Sequence, residues 1–171
     1  MEFVGKHSNL HLSFPSAIVD RYYSEKGPIN LLITYPDMTE GSFKSDDWIS
    51  ISVRSNSLFD RNKTLDTNYT HPYCETKKGT SRVHKFNGEK FGFKEYIYST
   101  PASLNPYIIY QPIAPKEGLH CITCIGSTTC TIHGITGSGI AFQAISPIND
   151  FTRNWKVYFS SIEKLFRSYD Q

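Results

Sequence analysis

The chain predicts an α+β fold: an antiparallel sheet of about seven to nine strands packed against one long C-terminal amphipathic helix. Three observations carry this expectation. Short segments in which apolar and polar residues alternate recur up to residue 146, turn-forming Gly, Pro, Asn and Asp separate them, and beyond residue 147 the apolar spacing changes to three and four. Eleven Tyr, eleven Phe and two Trp suit half-buried pleated surfaces.

Residues 9–14 set Leu10, Leu12 and Phe14 against His11 and Ser13 before Pro15 ends the strand. Residues 29–35 form a more continuous apolar run closed by Pro36-Asp37, and residues 48–54 alternate Ile49, Ile51 and Val53 with Ser50, Ser52 and Arg54. Across residues 55–79 the periodicity fades into a long polar loop region, which in a compact domain is functional or mobile. Its two sequons, at Asn62 and Asn68, matter only in a eukaryotic secretory setting.

Residues 82–86 and 90–98 then read as a hairpin turning at Asn87-Gly88. Strands over 107–111, 119–125, 129–133 and 140–146 complete an antiparallel meander. In the last segment Phe151, Trp155, Tyr158, Phe159, Ile162, Leu165, Phe166 and Tyr169 make a helical stripe, with Asn149 or Asp150 as its cap and Lys164 and Arg167 suiting its C-terminal end. No repeat and no linker divides the chain, so residues 1–171 are expected to form a single domain.

Eighteen basic residues against sixteen acidic give a formal charge of +2, without the dense basic footprint of a nucleic-acid surface. No apolar run approaches the roughly 18 residues of a membrane span. Met1-Glu2-Phe3 leads straight into strand-like sequence, and Glu-Phe after Met reads as a cloning remnant, so a signal sequence is expected to have been removed or replaced.

The densest chemistry lies in Cys121-Ile-Thr-Cys124-Ile-Gly-Ser-Thr-Thr-Cys130-Thr-Ile-His133. As C-x2-C-x5-C-x2-H it offers the four ligands of a zinc site, but the β-branched residues between its paired ligands favour an extended chain, in which 121 and 124 face opposite sides. A three-residue loop at 126–128 instead sets Cys124 opposite Cys130, within disulfide reach, in a small closed loop that adds about 2 kcal/mol. Cys121 then faces away and has Cys74 as its candidate partner. Two disulfides, a zinc site and reduced buried thiols stay open as readings; strand geometry favours the first, with no metal.

Other groups carry less. Gly134, Gly137 and Gly139 precede a strand, where a dinucleotide loop needs a helix, so they read as a turn and no cofactor is expected. Glu40, Asp46 and Asp47 lack calcium-loop spacing. Ser81, His84 and Asp60 or Asp66 supply the residue types of a hydrolytic triad without any local signature, and no catalytic residue is assigned.

An N-terminal hairpin ending in Ser13-Phe14-Pro15, a central meander, and a terminal helix beginning near Asn154-Trp155-Lys156 resemble the PsbP-like α/β sandwich, a non-enzymatic fold of small periplasmic and lumenal proteins. Cys124 and Cys130 followed by Thr131-Ile132-His133, Ala141-Phe142 and Trp155 are similar to small proteobacterial cell-envelope proteins, some of which are immunity or accessory proteins of toxin systems. The resemblance implies a non-enzymatic protein-binding module in the periplasm or another extracytoplasmic space, inhibiting a toxin or effector, and it brings no catalytic residues. Phe59, Tyr69 and Tyr73 in the polar loop region are the expected partner-binding residues. The alternatives are a small-molecule or lipid carrier using the sheet–helix cleft, and a hydrolase, for which His84 or His133 would be the residue to test.

Overall fold

The structure is a computed structural model that describes residues 2–4, 11–19, 29–44, 46–53, 74, 84–98, 105–114, 118–126, 128–137, 140–147 and 152–169. Two short strands, β1 (Glu2–Val4) and β2 (His11–Ser13), pair antiparallel. Then follow β3 (Ile29–Thr34), β4 (Thr39–Glu40), β5 (Trp48–Val53), β6 (Lys85–Lys90), β7 (Phe93–Tyr98), β8 (Tyr107–Pro112), β9 (Leu119–Ile125), β10 (Thr129–Ile135), β11 (Ala141–Ser146) and the helix α1 (Trp155–Ser168). Strands β3 to β11 form one nine-stranded sheet in the order β4-β3-β5-β11-β10-β9-β8-β7-β6. The expected α+β architecture is the one observed. β6 to β11 run as a meander, and β11 returns to pair with β5, Val53 opposite Phe142.

One face of this sheet is the core face, because directly opposed residues share a side and the apolar alternations are in phase across strands. Leu31, Ile33, Ile49, Ile51, Val53, Phe142, Ala144, Ile132, Ile122 and Phe93 are buried on it. Against them α1 lays Trp155, Tyr158, Phe159, Ile162, Leu165 and Phe166. The rings interlock: Phe142 lies 5.4 Å from Phe159 and 6.0 Å from Phe166, and Trp155 lies 6.2 Å from Phe93. Each such pair contributes about 0.5–1.5 kcal/mol beyond the area it buries. Phe14 wedges between Phe166 and Tyr169, and the Ser13 amide donates to the Tyr169 carbonyl, tying β2 to the end of α1.

Two glycines set how closely the helix approaches. A Cβ on Gly134 would stand 2.7 Å from Phe159 Cε2 and 2.9 Å from the Gly118 carbonyl, at the point where the β9–β10 register shifts. Gly118 has φ +71°, and a side chain there would collide with the Ile135 carbonyl and the same Phe159 ring.

Two expected boundaries move. Asn87-Gly88 is a bulge inside β6, where the register steps from Phe86 to Gly88, and the hairpin turns at Phe91-Gly92, with φ 52° and 81°. The shift has a cause: the Asn87 carboxamide, pushed out by the bulge, donates to the carboxylate of Glu95, which is buried and needs partners. The helix begins at Trp155, flanked by Asn154 with no side-chain cap bond, rather than at a cap on Asn149 or Asp150; those two and Phe151 lie outside the described residues. No helix among the described residues is long and apolar enough to cross a membrane.

Candidate functional site

The second face of the sheet, away from α1, is where the chain departs from simple core packing. Register places Phe86, Tyr96, Ile109, Thr123 and Thr131 in one row across it and Tyr98, Tyr107, Ile125 and Thr129 in the next. Cys121, His133, Gln143 and Ser52 form a third. A free polar face would leave all of these wet, yet Ile109, Cys121, Thr123 and His133 are buried.

Cys74 is bonded to Cys121 there, with Cα atoms 5.8 Å apart, closing a separation of 47 residues. The two sulfurs and Ile109 make a second small core, with Tyr96 and Tyr107 packed on it. Gln111 Nε2 donates to the Cys74 carbonyl at 2.6 Å, a second tether on the same residue. Beside it Thr123 Oγ1 and His133 Nε2 are hydrogen-bonded at 2.9 Å, which gives the buried imidazole a polar partner. Around this anchor runs an aromatic strip: Phe86 packs 5.6 Å from Tyr96 and His84 packs 5.4 Å from Tyr98, while Phe86 and Ile125 are more than half exposed. Amphipathic rings set round a fixed apolar centre are the composition of protein-binding hot spots.

The other disulfide, Cys124–Cys130, lies on the core face, where directly opposed positions of β9 and β10 bring the Cα atoms to 4.1 Å. Thr152 Oγ1 sits 3.8 Å from both sulfurs. Cys121 and Cys124 point to opposite sides of the sheet, so the paired ligands of the zinc reading do not converge. Among the described residues no group of three His, Cys, Asp or Glu side chains is placed to hold a metal ion.

On the core face near the β6 edge, Glu95 collects Asn87, the Tyr110 hydroxyl and, at 3.8 Å, Lys90. Burial alone would push the Glu95 pKa up; the hydrogen bonds from Asn87 and Tyr110 and the Lys90 charge outweigh it, and the carboxyl sits below its ordinary value. Burial first, then the Glu95 carboxylate that it donates to, pushes the Tyr110 ionisation well above the usual phenol range. Glu95 is thereby held as a carboxylate and Tyr110 as a neutral phenol that donates to it.

Phe59, Tyr69 and Tyr73, and the triad types Ser81, Asp60 and Asp66, lie outside the described residues. His84 is placed against the Tyr98 ring. The aromatic strip was not singled out from the sequence, although the alternation of residues 93–98 already separates Tyr96 and Tyr98 from Phe93; what the sequence lacks is the cross-strand register that adds Phe86 and Tyr107 to them.

No family model and no curated protein matches the chain. Among solved structures it is similar to an immunity protein of the Stenotrophomonas maltophilia type IV secretion system, with a TM-score of 0.63 and 11% identity over 100% of this chain and 93% of that one. At that identity the likeness shows a shared fold, and the PsbP-like resemblance is not shown.

Proposed function

We propose that the chain is a non-enzymatic protein-binding inhibitor of the immunity kind, acting outside the cytoplasm and docking its partner through the outer sheet face around Cys74–Cys121. The observation that carries this reading is the aromatic strip of Phe86, Tyr96, Tyr98 and Tyr107 beside Cys74, which is covalently fixed to the sheet. A rigid, ring-rich surface loses little side-chain entropy on binding, which is what a tight occluding inhibitor needs. Phe59, Tyr69 and Tyr73 flank Cys74 in sequence and belong to the same proposed contact. The fold shared with an immunity protein supports the class, and two disulfides support an oxidising compartment. The carrier alternative gains nothing from the centre of the sheet–helix interface, which the interlocking rings of Phe142, Phe159 and Phe166 fill.

Co-production with the product of the neighbouring gene tests the reading. The expected result is a stoichiometric complex and rescue of growth when both are exported. Phe86→Ala with Tyr96→Ala should then weaken the complex by about 2 kcal/mol or more without loss of secondary structure. A small molecule retained in native mass spectrometry, with no complex and a metabolic gene neighbourhood, would point to the carrier instead.

A further inference from the structure

The solvent side of α1 carries a second surface, on the far side of the molecule from Cys74. Arg153, just before the helix, and Lys156, Lys164 and Arg167 within it are all exposed. At helical spacing Lys156, Lys164 and Arg167 fall on one stripe, which extends about 17 Å along the axis, with Arg153 just beyond its N-terminal end. The whole chain has a formal charge of only +2, so this stripe concentrates positive charge that the rest of the surface offsets. The acid in α1, Glu163, is turned to the edge of the stripe, where its Oε1 accepts the Gly137 amide at 2.9 Å. Among the described residues the ion pair found is Lys90–Glu95, and none involves these four cations.

Beside the stripe, between α1 and the turn at Gly137, lies a cleft of about 500 Å³. Its lining combines the buried rings of Trp155 and Phe159 with the exposed Lys156, Arg167 and Gly137 and the half-buried Glu163. Arg153 extends the positive surface outward, stacked 5.9 Å from the centroid of the exposed Phe91 ring.

We propose that this stripe and cleft form a docking surface for an acidic polypeptide segment. An apolar side chain of that segment enters over the Trp155 and Phe159 rings, and carboxylates on either side of it meet Lys156 and Arg167. Charge complementarity selects the class of occupant. A lipid surface fits less well, because the apolar face of α1 is committed to the core and Val157 is the large apolar residue it exposes. A nucleic acid fits less well too, since four cations with Glu163 at their edge fall short of a phosphate-tracking patch. The surface is separate from the proposed immunity contact and does not depend on that reading.

Fluorescence anisotropy of the intact, oxidised chain with a fluorescein-labelled peptide of Glu and Asp residues around a central Phe tests the proposal. The acidic peptide should bind, a Lys-substituted counterpart should not, and binding should weaken as salt rises. Lys156→Glu with Arg167→Glu should cost at least about tenfold in affinity, while Lys94→Glu, on the opposite face, should change nothing. Arg153→Gln with Lys164→Gln, which preserves helix propensity, should weaken binding in the same direction and guards against a folding defect in the reversal variant. Absence of acidic-peptide binding, binding indifferent to these substitutions, or binding only to phosphatidylglycerol vesicles or a single-stranded oligonucleotide would each overturn it.

Discussion

At the scale of the residue, Glu95 and Gly134 show opposite ways in which one position is constrained. Glu95 is a carboxylate drawn into the core face and kept ionised by Asn87, Tyr110 and Lys90. Its folded pKa lies below the ordinary 4.5, so it adds stability at pH above that value, and the contribution disappears as pH falls through the folded value. Urea unfolding followed from pH 7 down to the acid range should therefore show a steeper loss for the wild type than for Glu95→Gln. Equal slopes would mean that the carboxyl is not held ionised by its neighbours. Gly134 is constrained by space instead, with Phe159 and the Gly118 carbonyl closing over its Cα. Gly134→Ala should lower stability by about 1–3 kcal/mol with an unchanged denaturant slope, since a methyl group there must displace either a core ring or backbone.

At the scale of the element, local sequence and three-dimensional register contribute separately. The β9–β10 hairpin was legible: a three-residue loop with β-branched flanks sets 124 opposite 130, and that is the register found. The β6–β7 hairpin turns later than Asn-Gly signals, because the buried carboxylate of Glu95 on the adjacent strand claims the Asn87 side chain. Both residues lie within eight positions of each other, but the sequence does not show that Glu95 is buried and in need of a donor. The helix was legible in its stripe but not in its start, where Trp155 packs on Phe93 and no side chain caps the first turn. Disulfide contributions also separate by element. In the chain-entropy account the short Cys124–Cys130 loop adds about 2 kcal/mol and the long Cys74–Cys121 loop about 4 kcal/mol. Paired Cys→Ala replacements at each bridge, compared by chemical denaturation, should rank in that order; the reverse ranking would show that native packing, not loop closure, dominates at the hairpin.

At the scale of the whole molecule, the layers assign roles to the two sides of the sheet. The core face holds the helix, and the other face holds an aromatic surface around one tethered residue. That division was only partly visible in the sequence, where the cysteines announced a second face but the strip of Phe86, Tyr96, Tyr98 and Tyr107 is assembled from three strands. The pairing of β11 with β5 carries a kinetic consequence. Strands β6 to β11 can zip together through neighbouring contacts, whereas Val53 must wait for Phe142 to be made and delivered. Oxidation should follow the same clock: during refolding from the reduced chain, trapped thiols should report Cys124–Cys130 closing first and Cys74–Cys121 last, so that the proposed binding face is the final part of the protein to mature.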